Sequence, residues 1–375
     1  MPSGVIIIYA YAVVCVCMTI YNIAYNLFQE GRDRRVDRRT QKLKARIGLQ
    51  LSRMERGEPL DVEHLQNLQR EMVKVNELVA FDRAFEQVSK TGKSETVEEY
   101  RRRIQPLLIK LTDVYRNKES MQAAYYAYIL SRYCKPGDAD VSLAEAIMVE
   151  YMEKDNLYCR LNALRALYQF GSPERVAEVV AYQDRLGRFL HEKLLTDGLL
   201  TFQGDHQRLI ALLWERFSQL SDKSRLAVLN YIRFHSGDYI EQMRNIMEDT
   251  GENKELRLSA IRYFGKYLYM PVKDRLVAFA LDKDPLNWEY AAIAVSCLTD
   301  YPGDDVTDAL MEAVYSSNWY VRYNAAAGLE SRGLEYSDLI NVVGGGDRYA
   351  REMIMYQLDE RRMKLGEYPE QEAKT

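Results

Sequence analysis

Residue types that could bind a metal or act as a nucleophile are sparse in this chain. Only one of the four histidines adjoins a glutamate, in His191-Glu192. A lone histidine on a helix is usually a surface or packing residue, and no Gly-x-Ser-x-Gly segment marks a nucleophilic serine. The five cysteines form no Cys-x-x-Cys pair and have no zinc-site spacing: Cys15, Cys17, Cys134, Cys159 and Cys297. The sequence therefore predicts no catalytic residue and no metal site.

Two glycine-containing segments resemble phosphate-binding loops only in part. Thr91-Gly92-Lys93-Ser94 has the end of such a loop, but the first glycine is missing at the required spacing and no apolar strand precedes it. The Gly-Gly-Gly-Asp segment at 344–347 is not followed by Lys-Ser or Lys-Thr. Both segments fit turns between helices better, so we predict no cofactor.

Composition and charge describe an ordinary folded chain of 375 residues, with 47% hydrophobic and 28% charged residues. The net charge is −4, yet residues 32–46 alone carry eight cations and two carboxylates. That segment is therefore at +6, and the rest of the chain is at −10. Nucleic-acid binding needs a basic surface, so we predict no nucleic-acid partner.

The N-terminal end predicts a membrane anchor over residues 1–29. No charged residue occurs from Val5 to Phe28, and about 20 apolar residues in a helix span the hydrocarbon layer. A cleaved signal peptide is the alternative, but it requires a basic start and small residues before the cleavage site. Neither feature is present in this sequence.

The cations that follow this segment predict its orientation. Positive charge beside a span stays on the cytoplasmic side, so we expect a single-pass protein of the cell (inner) membrane with its N-terminus outside and the remainder in the cytoplasm. The same cations would contact anionic lipid head groups. They are Arg32, Arg34, Arg35, Arg38, Arg39, Lys42, Lys44 and Arg46.

Residues 30–118 are predicted to contain this basic segment and amphipathic helices. Between residues 60 and 90, apolar side chains recur every three or four positions, as on one face of a helix. That face either packs on the segments that follow or forms a short coiled coil between two copies. The residues are Leu65, Leu68, Met72, Val75, Leu78, Phe81, Phe85 and Val88.

The remainder of the chain is repetitive. Six segments share one apolar pattern, with arginine at the second position in five of them: 159–167, 224–232, 256–264, 289–297, 321–329 and 350–358. Their second positions are 65, 32, 33, 32 and 29 residues apart, and the longest interval holds a degenerate unit near Phe189–Leu199 and Gln207–Leu220. A weaker unit lies at Met121–Tyr133 and Val141–Met152. Such periods predict about seven stacked helical pairs over residues 119–364, followed by a polar tail at 365–375.

These segments resemble the bacterial HEAT-like repeats first associated with phycobilisome lyases, whose first helix carries Val-Arg-x-x-Ala-x-x-Ala-Leu. Val321-Arg322 with Ala325 and Leu329 matches this signature, whereas Tyr290 replaces the arginine. The resemblance implies an all-α fold, a right-handed α-solenoid of helical pairs behind the N-terminal transmembrane helix. An iron-binding branch of such repeats uses several His-Glu dipeptides, and the single His191-Glu192 does not supply them.

Aromatic residues offer the best prediction of a binding surface. The chain has 28 tyrosines, and Tyr and Trp are favoured where proteins bind each other. We single out Trp319, Tyr320, Tyr126 and Tyr267 as residues that could contact a partner. The recurring arginines, such as Arg160 and Arg322, are expected to bridge neighbouring repeats through carbonyl or carboxylate groups.

The sequence thus predicts a non-catalytic, membrane-tethered scaffold or adaptor, most consistent with a bacterial protein, that binds a protein partner at the cytoplasmic face. The resemblance extends this to an accessory subunit of a membrane complex that makes or exports a polysaccharide. The alternative is a HEAT-like repeat enzyme or small-ligand sensor whose site forms only in the fold. The sequence leaves the oligomeric state open.

Overall fold

The computed structural model describes residues 3–137, 139–188 and 191–365. These residues form twenty α-helices and three short 3-10 helices, with no β-strand among them, so the all-α prediction is confirmed for this part of the chain. The chain divides into two compact units. Residues up to 180 together with 201–205 form the first unit, and residues 181–200 together with those from 206 onward form the second. The predicted boundaries at 29, 118 and 364 follow changes in sequence character and stay predictions.

The first unit contains eight complete helices and the start of a ninth. They are α1 (Ser3–Glu55), α2 (Val62–Glu71), α3 (Val75–Ser89), α4 (Ser94–Lys110), α5 (Thr112–Arg116), α6 (Ser120–Tyr133), α7 (Ser142–Tyr151), α8 (Leu157–Phe170) and α9 (Pro173–Arg185).

The second unit begins within α9 and contains eleven further α-helices in the described residues. They are α10 (Glu192–Leu200), α11 (His206–Glu215), α12 (Asp222–His235), α13 (Ile240–Glu248), α14 (Lys254–Phe264), α15 (Lys273–Ala280), α16 (Trp288–Leu298), α17 (Asp304–Ala313), α18 (Trp319–Ser331), α19 (Ile340–Val343) and α20 (Arg348–Leu365). The 3-10 helices are Phe217–Gln219, Met270–Val272 and Pro285–Asn287.

Helix α1 has two parts with different surroundings. From residue 36 onward, side chains three and four positions apart are buried against α3 and α4: Val36, Thr40, Leu43, Ile47 and Leu51. In the part before it, every described side chain from residue 9 to residue 25 is exposed.

None of the helices in the described residues combines the length and the apolarity of a membrane span. Part of the predicted anchor lies outside the description: residues 1 and 2, and the side chains of 3–8, 10, 24 and 26–30. The predicted tail also lies outside it from residue 366.

The apolar face predicted at 60–90 exists, but it belongs to two helices rather than one. Helix α2 ends at Glu71 and α3 begins at Val75. The hydroxyl of Tyr115 donates a 2.8 Å hydrogen bond to the carbonyl of Met72, which satisfies a group that a helix end leaves free. Because α3 packs on α1 and α6 of the same chain, its apolar face is covered within the first unit. The coiled-coil alternative therefore has no exposed α3 face to use in the described structure.

The first five of the six recurring segments lie on the first helix of a pair, and the sixth lies on α20, the last helix in the described residues. The first helices lie side by side within their unit, α6 with α8 in the first and α12 with α14, α16, α18 and α20 in the second. One alignment in the sequence was wrong by one residue. Tyr290 is buried at the position that Leu256 and Val321 occupy, so Ala291 stands where other repeats have arginine.

Arg160 and Arg322 fasten the loop that precedes their own helix, whereas Arg225 pairs with Glu252 in the loop that follows its helical pair. Arg322 donates to the carbonyls of Ser316 at 2.7 Å and Ser317 at 3.0 Å. Arg160 donates in the same way to the carbonyls of residues 154 and 155, both at 2.8 Å. These contacts confirm the expected role in joining one helical pair to the next.

Candidate protein-binding surface

Aromatic side chains cluster along three successive first helices of the second unit. Trp288 begins α16, Trp319 and Tyr320 begin α18, and Tyr349 is the second residue of α20. With the corrected alignment, Trp288 and Trp319 occupy the same repeat position. We call the following residues the aromatic strip: Trp288, Trp319, Tyr320, Tyr323, Tyr349 and Tyr356.

The rings of the strip contact one another from helix to helix. Trp288 stacks on Tyr320 with ring centroids 5.5 Å apart, and Trp319 stacks on Tyr323 at 5.0 Å. The rings of Trp319 and Tyr320 meet edge to face at 5.1 Å. Such pairs add to the stabilisation from apolar burial and hold large rings in fixed orientations.

The start of α18 fixes where Trp319 and Tyr320 project. The side chain of Asn318 caps the helix by accepting from the Tyr320 backbone N–H at 2.8 Å. Arg322 fastens the preceding loop from the next turn, as described above. The two rings therefore stand on a helix end that is held from both sides.

Exposure distinguishes this cluster from a core. Trp319 is 51% exposed and Tyr320 is 57% exposed, although both carry more apolar surface than most residues. Tyr349 and Tyr356 on α20 are also exposed. Contiguous exposed aromatic surface is typical of interaction sites, where Trp and Tyr supply much of the binding energy.

A cleft of about 520 Å³ lies between α18 and α20 within the strip. Its aromatic walls are Trp319 and Tyr323 on one side and Tyr349 and Tyr356 on the other. The guanidinium of Arg322 lies 5.3 Å from the centroid of the Tyr349 ring. The cleft thus offers aromatic rings together with Arg322 and Glu352, a lining that suits an extended peptide or a protein side chain.

A second cleft of about 590 Å³ is lined by Trp288, by other apolar side chains and by polar loop residues. Lys283 pairs with Glu312 there at 3.0 Å. The carboxylate of Asp282 accepts from the Asp284 backbone N–H at 2.9 Å, and Asp284 caps the following 3-10 helix. These carboxylates form contacts within or to the loop between α15 and α16, which precedes Trp288 of the strip.

The four predicted partner-binding residues have different surroundings. Trp319 and Tyr320 are exposed, as expected of a contact surface. Tyr267 is half-buried, with its ring 4.7 Å from that of Tyr263. The prediction for Tyr126 is wrong, because its side chain is completely buried and its hydroxyl donates to the carbonyl of Leu108 at 2.7 Å.

The eight cations predicted to face lipid also differ in their surroundings. Arg39 pairs with Glu77 at 2.9 Å, and Arg46 pairs with Glu71 at 2.9 Å, so these two fasten α1 to its own unit. The side chain of Arg32 lies outside the described residues, and Lys44 is half-buried. The exposed members are Arg34, Arg35, Arg38 and Lys42.

Burial favours the neutral form of two cysteines and one histidine in the described structure. Burial raises the pKa of the Cys159 thiol to about 11 and that of Cys297 to about 12, and a thiol in this state is a poor nucleophile. Burial, with a smaller contribution from the charge of Arg46, lowers the pKa of His64 to about 4. Among the described residues, no group of three or more His, Cys, Asp or Glu side chains could hold a metal ion.

Sequence reasoning singled out only two of the six strip residues, Trp319 and Tyr320. Trp288 was hidden by the one-residue misalignment of its repeat, since correct alignment places it at the position of Trp319. Tyr349 and Tyr356 are seven residues apart, which is two turns of α20, and that spacing was the available signal.

Neither protein-family models nor curated proteins give a match to this chain.

Proposed function

We propose that this protein is a non-catalytic repeat scaffold that binds a protein partner through the aromatic strip. The observation that carries the proposal is the exposure of Trp319 and Tyr320 on a fastened helix end, beside a cleft with aromatic walls. A rigid aromatic surface loses little conformational entropy on binding, and it buries a large apolar area.

The proposal includes attachment to the cytoplasmic face of a cell membrane through α1. Support comes from the absence of charge between Val5 and Phe28 and from the exposure of all described side chains from residue 9 to residue 25. Apolar side chains on every side of a helix fit a lipid environment better than water. We further propose that the helical pairs form a right-handed α-solenoid of HEAT-like repeats and that the partner belongs to a membrane complex, such as one that makes or exports a polysaccharide.

The test compares three full-length proteins purified from gently solubilised native membranes. The first is the unchanged chain, and the second carries Trp319→Ala and Tyr320→Ala. The third carries Leu157→Ala and Tyr158→Ala, which removes exposed apolar side chains from the same two repeat positions of α8. We expect one membrane protein to be enriched with the first and third proteins and to fall at least about tenfold with the second.

Quantitative mass spectrometry of the captured proteins measures this difference. Equal capture by all three proteins would remove the strip from consideration as the binding surface. Loss of capture with the α8 variant as well as the α18 variant would also contradict the assignment, because it would show a general effect of losing exposed rings.

A further inference from the structure

We propose that the second unit carries a separate docking site, formed by Arg233, Arg262 and Lys266 around the ring of Phe234, for a carboxylate-rich segment of a partner protein. This site lies on the last turns of α12 and α14 and on Lys266, two residues beyond the end of α14, whereas the aromatic strip lies along α16, α18 and α20. It goes beyond the scaffold function proposed above and does not depend on it.

Two cations flank an exposed ring at this place. The Phe234 side chain is 49% exposed, the guanidinium carbon of Arg233 lies 5.2 Å from its centroid, and Nζ of Lys266 lies 5.4 Å from it. The ammonium group of Lys266 also donates to the carbonyl of Phe234 at 2.9 Å. The ring and both charges are therefore held together at the surface.

No carboxylate among the described residues pairs with either arginine. Helices α12 and α14 pack side by side, and burial together with the charge of Arg262 lowers the pKa of Arg233. Within the described residues, neither guanidinium has a hydrogen bond or an ion pair. Asp300 lies close enough to Cys297 to act on its thiol, as both arginines do, yet it pairs with neither.

Partly desolvated guanidinium groups without partners are unfavourable, and a carboxylate would satisfy them in a two-pronged hydrogen bond. Positive charge at the C-terminal end of a helix does offset the helix dipole. That effect explains the sign of the charge but does not require two neighbouring arginines. Within the second unit, the position of Arg262 is occupied by Asn230 in α12, Ser296 in α16, Ala327 in α18 and Tyr356 in α20, so this unit has the patch at one place.

Charge complementarity selects the occupant. The chain outside residues 32–46 has a net charge of −10, so a local cluster of three cations stands out against its surroundings. An acidic peptide segment would place carboxylates on the cations and an apolar side chain on the Phe234 ring. A free inorganic anion would use only the charges.

The experiment measures fluorescence anisotropy of a labelled nonapeptide, Glu-Glu-Leu repeated three times, with the full-length protein in mild detergent. We expect binding that weakens with added salt and that is lost when glutamine replaces glutamate in the peptide. Changing Arg233→Gln together with Arg262→Gln should weaken binding at least about tenfold. The matched control, Arg185→Gln with Lys193→Gln, removes two exposed cations from the same unit and should bind within about twofold of the unchanged protein.

Two more variants address the fold and the ring. Arg233→Lys with Arg262→Lys keeps the charges, and it should bind with intermediate strength because the forked geometry is lost. Phe234→Ala should weaken binding about threefold or more if the ring is contacted. Circular dichroism of every variant establishes that the helices are retained.

Three results would overturn the proposal. One is failure of the acidic peptide to bind the unchanged protein at concentrations up to about 1 mM, which is weaker than specific recognition requires. The second is an equal loss of peptide binding in the matched control and in the variant with Arg233→Gln and Arg262→Gln. The third is displacement of the peptide by inorganic phosphate at low concentration, which would make the patch a phosphate site rather than a docking surface.

Discussion

Buried tyrosines join neighbouring helices of the first unit through both their rings and their hydroxyl groups. Tyr115 and Tyr126 stack with centroids 4.5 Å apart, and the hydroxyl of Tyr151 donates to the carbonyl of Tyr115 at 2.6 Å. A buried hydroxyl needs such a partner, and the carbonyls at helix ends need a donor. Seven tyrosines of the described residues are completely buried: Tyr100, Tyr115, Tyr126, Tyr151, Tyr231, Tyr263 and Tyr301.

A buried histidine gives the first unit a pH-dependent stability. His64 lies beside Tyr100, with Nε2 2.8 Å from its hydroxyl oxygen, and its pKa is lowered from 6.5 to about 4. Between those pH values the unfolded chain binds a proton that the folded chain does not, so the free energy of unfolding falls as the pH falls through this window. From pH 7 to pH 5 the loss should be about 2 kcal/mol.

Urea unfolding at pH 7 and pH 5 measures this loss in the unchanged protein and in His64→Gln, which cannot take up the proton. The variant should lose about 2 kcal/mol less between the two pH values. His191→Gln is the control, because the His191 side chain is 66% exposed. If His64→Gln and the unchanged protein have the same pH dependence, His64 is not the group responsible.

The sequence could not separate buried tyrosines from exposed ones. Tyr126 and Tyr320 both lie on predicted first helices within aromatic clusters, but Tyr126 faces α5 and the end of α4, whereas Tyr320 stands on the first turn of α18. That difference depends on which neighbours cover each helix. Position within the helix was the usable signal, since Tyr320 is the second residue of α18 whereas Tyr126 is the seventh residue of α6.

Helix α1 is both a core element and a projecting segment. Its residues from Val36 to Leu51 repeat a buried position every three or four residues, although the segment is also strongly basic. The charges concealed this pattern in the sequence, where residues 32–46 were interpreted as a topology signal. Arg39 pairs with Glu77 of α3 and Arg46 pairs with Glu71 of α2, so basic residues of α1 also take part in its packing.

The packing role of α1 predicts a large cost for Ile47→Ala. Ile47 is completely buried, so removing its side chain should lower the free energy of unfolding by about 3 kcal/mol through lost burial and the cavity left behind. Leu49→Ala, two residues further along the same helix, removes a side chain that is 58% exposed and should change stability by less than about 0.5 kcal/mol. Equilibrium urea unfolding compares them, and equal effects would show that α1 does not pack on α3 and α4 in solution.

The repeat helices were largely predictable, because an apolar pattern recurring every 29 to 34 residues leaves few alternatives. The exception is α16, where Tyr290 fills the position of a smaller apolar residue and Ala291 replaces the arginine. An alignment based on the recurring arginine cannot determine the register of α16, because α16 has no arginine at that position. Burial of Tyr290, Ala294 and Val295 settles it.

Charge is separated along the whole molecule, with +6 on residues 32–46 and −10 on the rest. The unequal distribution would orient the chain at an anionic surface, drawing the basic part of α1 toward it and repelling the remainder. Not every cation of this segment is available to an anionic surface, because Arg39 and Arg46 form ion pairs with glutamates of the same unit. Arg35, Arg38 and Lys42 are exposed and have no ion pair within the described residues.

This separation predicts how a chain beginning at residue 31 binds lipid vesicles. Without the apolar segment, only electrostatic attraction remains, so the protein should bind vesicles containing 30% phosphatidylglycerol and not vesicles of pure phosphatidylcholine. Each exposed cation near such a surface contributes about 1 kcal/mol, so changing Arg35, Arg38 and Lys42 to glutamine should lower the partition coefficient by about 100-fold. Vesicle sedimentation at low and moderate salt measures the partition coefficient, and screening should weaken binding as salt rises.

The matched control changes three exposed cations elsewhere in the first unit, Lys93, Lys110 and Arg165, to glutamine and should bind nearly as well as the parent. An equal loss in the control would mean that total charge, rather than the basic part of α1, governs attraction to the membrane.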